Sequence, residues 1–138
     1  MNTRLRLPLA LALGSCDLGG TLCTAEVVPA IEVEVRDATT GAPAACNALL
    51  VVREGAFVDS VAASNVFDPS APADSTGGCG RLPDLLGLSG AEERSGTYSV
   101  RVEKPGYVTW ERTSVRVPVD ECHVRTARFD VALERATP

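Results

Sequence analysis

The strongest signal in this sequence is a two-residue alternation of apolar and polar side chains. It begins at Ala30, where Ile31, Val33 and Val35 alternate with charged residues. Successive side chains of a β-strand point to opposite faces, so this period predicts half-buried strands. The same alternation recurs in residues 98–103, 115–119 and 127–134.

Three further segments complete a set of short strands. Residues 46–53 form a more continuous apolar run, which is typical of a central strand, and residues 56–63 return after the turn at Glu54-Gly55. Residues 107–112 follow the hairpin turn at Lys104-Pro105-Gly106. No amphipathic helix is predicted. The pattern therefore predicts an all-β fold, an antiparallel sandwich of about seven strands.

One long segment breaks this pattern. Residues 64–95 are rich in Pro, Gly, Asp and Ser and include the run Gly77-Gly78-Cys79-Gly80. These residue types favour turns and loops, so the segment is predicted as a long loop with a short strand near residues 81–86.

The N-terminus has the pattern of an export signal. Two arginines precede the short apolar stretch Leu7–Leu13, which is too short to span a bilayer. Residues 13–16 (LGSC) resemble the lipobox of bacterial lipoproteins. The resemblance implies that residues 1–15 are removed as a signal peptide and that Cys16 is acylated. The alternative is an ordinary secretory signal that is cut elsewhere.

This N-terminal signal predicts a protein that is anchored to a membrane. Residues 16–29 are expected to be a tether between the lipid and the folded domain, with the membrane as partner through the N-terminal lipid. The expected location is the bacterial cell envelope, at either of its membranes.

Cysteine usage agrees with export. The chain has five cysteines, and assigning Cys16 to the lipid leaves an even number. Four cysteines in an exported domain usually form two disulfides, in one of three pairings. Cys23–Cys122 with Cys46–Cys79 is favoured. Cys23 and Cys122 precede the first and last strands, which often run parallel in sandwiches and would then begin at the same end.

A family resemblance becomes specific across the strands. Residues 33–43 (VEVRDATTGAP) and 96–107 (GTYSVRVEKPGY) resemble the two signatures of carboxypeptidase regulatory-like domains, and residues 122–126 resemble a closing segment of similar envelope proteins. The resemblance covers residues 30–134, with the long loop at 64–95 as an insertion. It implies a transthyretin-like (prealbumin-like) Greek-key sandwich, and it carries little information about activity.

The signature residues have structural interpretations. Gly41 and Gly106 suit tight turns because glycine adopts a positive φ without strain. Tyr98 lies on the inward face of its strand, and its hydroxyl is expected to bind a nearby backbone group, as in a tyrosine corner.

Composition argues against several classes of function. The net charge of −5 disfavours nucleic acid as a partner. A single histidine leaves no set of metal or catalytic ligands, so no metal, no cofactor and no enzyme activity are predicted. The adjacent Cys122 and His123 could suggest a thiol nucleophile beside a base, but an oxidised cysteine cannot act as one.

Trp110 and Tyr107 are the best candidates for a binding surface. They are predicted on opposite faces of one strand, so that only one faces outward. The alternative is that Trp110 packs in the core or covers a sandwich edge. The chain is predicted to be a non-enzymatic envelope lipoprotein that acts as a structural or protein-interaction module with an envelope protein as partner. The alternative is a carbohydrate-binding module with a glycan as partner.

Overall fold

The computed structural model describes residues 20–62 and 86–137. Within these residues the fold is all-β, with seven strands and no helix, as predicted. No helix in this described part is long and apolar enough to cross a bilayer. The strands are β1 (Pro29–Asp37), β2 (Leu49–Glu54), β3 (Phe57–Ala62), β4 (Gly87–Glu92), β5 (Gly96–Glu103), β6 (Trp110–Val117) and β7 (Ala127–Leu133).

The strands form two sheets. One sheet has three strands in the order β4-β1-β7, and the other has four strands in the order β3-β2-β5-β6. All neighbouring pairs are antiparallel except β1 and β7, which run parallel with Ile31 opposite Ala127. The first and last strands are therefore parallel neighbours, as the cysteine argument expected.

The core lies between the two sheets and consists mainly of small aliphatic side chains. Ile31, Val33 and Val35 of β1 are buried, which confirms the predicted alternation. Each buried Val, Leu or Ile contributes roughly 1.5–3 kcal/mol. The largest fully buried side chain is Tyr98, and its hydroxyl donates a 2.7 Å hydrogen bond to the carbonyl of Arg94. The predicted role of this tyrosine is confirmed.

The two strands predicted at 107–112 and 115–119 are a single strand, β6. The register with β5 shifts between Tyr98 and Val100, and Ser114 adopts a φ of 56°. A bulge inserts one extra residue, so the positions that face the core change from even to odd numbers beyond it. Trp110 and Val115 therefore face the same side although they are five residues apart. This change of parity made the sequence pattern look like two separate strands.

The predicted loop at 64–95 is wrong at its C-terminal end, because β4 lies within it. The sequence of β4 is GLSGAE, which has few residues that favour strands. The glycine at position 90 has a structural reason, since a Cβ there would lie 3.1 Å from Asp59 Oδ2. The short strand predicted near 81–86 falls largely outside the described residues, and Leu86 is not in a strand.

Candidate functional site

The two ends of the sandwich bring together different segments of the chain. Because β1 and β7 are parallel and β4 is antiparallel to them, residues 20–28, the turn at 93–95 and the loop at 118–126 meet at one end, here called the disulfide end. The turn at 38–48, the loop at 104–109 and residues 134–136 meet at the other, here called the loop end. The chain also leaves β3 and re-enters before β4 at the loop end.

A disulfide between Cys23 and Cys122 holds the disulfide end together. The S–S distance is 1.99 Å and the Cα atoms lie 5.2 Å apart. This pairing was predicted from the positions of the two cysteines, and it is confirmed. Next to it, Thr21 Oγ1 donates a 2.6 Å hydrogen bond to Glu121 Oε2. Residues 20–24, from the predicted tether, are thus attached to the loop before β7.

His123 links two other segments at the same end. Its Nδ1 lies 2.9 Å from Glu93 Oε1, and its Nε2 lies 3.1 Å from Thr24 Oγ1. Glu93 Oε1 also accepts a 2.7 Å hydrogen bond from the backbone N–H of Val28. The N–H of Val28 and the His123 ring lower the pKa of Glu93.

This hydroxyl–imidazole–carboxylate series was missed by the sequence analysis. Its members are 30 and 99 residues from His123, so no local motif could reveal them. The arrangement joins the tether to the turn after β4 and adds to the covalent bond. The neighbouring Cys122 is oxidised, so it supplies no thiol nucleophile beside His123.

Asp37 organises the loop end. It lies at the end of β1 and is only 3% exposed. Among the described residues it is the only charged residue that is buried. Its Oδ1 accepts 2.9 Å hydrogen bonds from the backbone N–H groups of Thr39 and Thr40. Its Oδ2 accepts hydrogen bonds from the Tyr107 hydroxyl at 2.8 Å and from Arg135 Nε at 3.0 Å.

These hydrogen-bond donors strongly favour the ionised form of the Asp37 carboxyl group. The Tyr107 hydroxyl, the turn N–H groups and the Arg135 guanidinium together hold the pKa of Asp37 well below its usual range. The same contact raises the pKa of Tyr107. Asp37 lies within the signature at residues 33–43 but was not predicted as a site residue. The signal that could have revealed it is an Asp that begins a turn ending in Gly41, where φ is 71°.

Tyr107 and Trp110 both lie toward the loop end, but not as predicted. Tyr107 precedes β6 and bridges to Arg135, so the two residues do not occupy opposite faces of one strand. Trp110 is half-buried, and its ring packs against Phe129 of β7 with centroids 5.6 Å apart. Trp110 therefore closes the side of the sandwich between β6 and β7.

Of the other predicted site cysteines, Cys46 lies within the described residues, in the turn between β1 and β2. Cys46 is disulfide-bonded, and its backbone carbonyl accepts a hydrogen bond from Lys104 Nζ. Burial lowers the pKa of Lys104. Cys79, the predicted partner of Cys46, and Cys16, the predicted lipid attachment residue, lie outside the described residues.

A shallow groove of about 520 Å³ runs along the outer face of the three-stranded sheet. Its charged lining residues are Glu32, Glu34, Arg128 and Asp130. Arg128 Nε donates a 2.6 Å hydrogen bond to Glu32 Oε2. Across residues 20–62 and 86–137, no group of His, Cys, Asp and Glu side chains could hold a metal ion.

Compared with known families and with curated proteins, the chain matches no family model and no curated relative.

Proposed function

We propose that this chain is a non-enzymatic, lipid-anchored protein of the bacterial cell envelope, whose sandwich serves as a structural or protein-interaction module. The observation that carries the proposal is the Cys23–Cys122 disulfide. Structural disulfides persist outside the cytosol, in the compartments to which the N-terminal signal would send the chain. More specifically, we propose that the sandwich has the transthyretin-like Greek-key topology and belongs to the carboxypeptidase regulatory-like family that the sequence resembles.

The arrangement of the two ends supports this role. The tether reaches the domain at the disulfide end, where Cys23 is covalently attached to the loop before β7. A chain held by a lipid at Cys16 would then present the loop end away from the membrane.

The loop end offers groups suited to protein contacts. Val108 is 52% exposed there, beside the half-buried rings of Tyr107 and Trp110. The Asp37 contacts hold these loops in place, so a partner would meet a preformed surface rather than order it on binding.

Replacing Cys16 tests the anchor. We expect Cys16→Ser to move the full-length chain from the membrane fraction to the soluble envelope fraction, because a single cysteine carries the lipid. The measurements are fractionation and mass spectrometry of the mature N-terminus. Thr21→Ala, an exposed substitution on the same tether, is the control and should remain in the membrane fraction. A wild-type N-terminus that is unacylated or cut elsewhere than before Cys16 would contradict the proposal.

A carbohydrate-binding module is the second candidate, because Trp110 is only half-buried and its free face could stack on a sugar ring. If this function is correct, wild-type protein will be retained on a glycan array, and Trp110→Ala will reduce retention at least about tenfold. Val58→Ala, at an exposed position on β3 away from Trp110, is the control. A thermal melt of each variant checks that the sandwich is intact. Wild-type protein that binds no glycan would rule this candidate out.

A further inference from the structure

Four strands lie at the edges of the two sheets. β3 and β6 border the four-stranded sheet, and β4 and β7 border the three-stranded one. An edge strand presents unpaired backbone groups that can pair with another chain, and natural proteins usually block such edges with bulges, prolines or inward-pointing charges. The four edges of this sandwich differ in that respect.

β3 and β4 block each other. Asp59 of β3 is opposite the core residue Val52, and its Oδ2 accepts a 2.7 Å hydrogen bond from the backbone N–H of Ala91 in β4. Ala91 also adopts a φ of 56°, which makes β4 irregular. On the other side, β6 is interrupted by the bulge at Ser114. These three edges are poor templates for strand addition.

β7 has none of these features. Its sequence, ARFDVAL, contains no glycine or proline, and none of its residues has a positive φ. Along Ala127–Leu133 it pairs on one side only, with β1, and just beyond its end residues 134–136 pair on the other side with residues 106–108. Val131 and Leu133 are buried and Phe129 is half-buried, whereas Arg128 and Asp130 are exposed. β7 is thus a regular strand whose outer edge, among the described residues, carries no backbone pairing between Ala127 and Leu133.

The charges on β7 are self-complementary in one register. A twofold axis normal to the sheet keeps the inner faces of both copies on the same side. An axis at Phe129 places Arg128 opposite the partner's Asp130, and this pair occurs twice. Opposite charges directly across a strand pair are favourable, whereas an axis at Asp130 would oppose two like charges.

From this match we propose that β7 pairs antiparallel with β7 of a second copy about an axis at Phe129, giving a continuous six-stranded sheet. Phe129 would then lie opposite the partner's Phe129, beside the Trp110 rings that close each sandwich. The contact between Arg128 and Glu32 uses Nε, and a guanidinium has further N–H donors on its terminal nitrogens. The Arg128 side chain is 72% exposed and within reach of a second carboxylate.

This pairing names a partner for the proposed interaction module, and in that sense it rests on the proposed function. It does not depend on the lipid, because the edge and its charges belong to the folded domain. The Cys16→Ser experiment therefore tests the anchor, and the association of the chain tests the pairing.

Charge reversal on β7 provides the test. The full-length chain is purified from the fraction in which it accumulates, and its mass is measured by sedimentation equilibrium over a concentration series. We expect wild-type protein to dimerise. Arg128→Asp and Asp130→Arg should each raise the dimer dissociation constant at least about tenfold, because each creates two like-charge contacts. Arg116→Asp, the same charge change on β6, is the matched control and should have no effect.

Mixing the two variants separates pairing from loss of fold. In an equimolar mixture of Arg128→Asp and Asp130→Arg, every cross-strand contact joins opposite charges, so association should return to the wild-type level. A wild-type chain that stays monomeric at all concentrations overturns the proposal. So does unchanged association of either variant alone, or a mixture that associates no better than its components.

Discussion

Removing the Cys23–Cys122 disulfide is expected to lower the free energy of unfolding by about 4–5 kcal/mol. The two cysteines are 99 residues apart in the sequence, so the bond closes a loop that includes most of the described chain. In the chain-entropy model, a cross-link over a long loop restricts the unfolded ensemble most. Domains of this size have a total stability of about 5–15 kcal/mol, so the loss is a large fraction.

The measurement is urea unfolding of a Cys23→Ser/Cys122→Ser double variant, which leaves no unpaired thiol at the site. Thr21→Ala is the control, because it removes only the exposed hydrogen bond to Glu121 at the same end. We expect the control to change stability by less than about 1 kcal/mol. If the double variant also loses less than about 1 kcal/mol of unfolding free energy, the noncovalent contacts of His123 and Glu93 already hold the tether, and the cross-link contributes little.

Replacing Asp37 is expected to lower the melting temperature by at least about 10 °C. In Asp37→Asn, the amide nitrogen of the new side chain must face a donor, either the turn N–H groups or the Tyr107 hydroxyl and Arg135. A buried group that loses its acceptor is costly because water cannot replace it. The β1–β2 turn, the loop before β6 and the C-terminal segment should loosen together.

The contribution of Asp37 to the stability of the fold should decrease as the pH falls into the acid range. Its pKa is lowered in the folded state, so its contribution is fully present above the unfolded value of about 3.9 and is lost as pH falls through the lower folded value. The gap between wild type and Asp37→Asn should therefore be constant near neutral pH and narrow in strong acid. Thermal melts from about pH 7 to about pH 2 measure this gap.

Glu111→Gln, at an exposed position on β6, is the matched control for Asp37, since it removes one carboxylate without a buried network. Its melting temperature should follow that of wild type at every pH. An Asp37→Asn variant that melts like wild type at neutral pH would contradict the central role of Asp37 at the loop end.

The two ends of the sandwich were accessible to prediction to different degrees. The Cys23–Cys122 pair could be predicted because it depends only on where the first and last strands begin and on their parallel direction. The Asp37 network could not. Its partners Tyr107 and Arg135 lie 70 and 98 residues away, and their side chains carry no pattern that points to Asp37.

The sequence by itself determined the all-β class, the inward faces of β1 and β5, and one disulfide, because a period of two and the order of strands are local or nearly local properties. Only the tertiary structure decided the places where backbone irregularity overrides the pattern. The bulge at Ser114 reversed the parity of β6, and the approach of Asp59 to β4 allowed a glycine-containing segment to form a strand. It also decided which edge stays open, because an edge is defined by the neighbours that a strand lacks, and these depend on the packing of the whole chain.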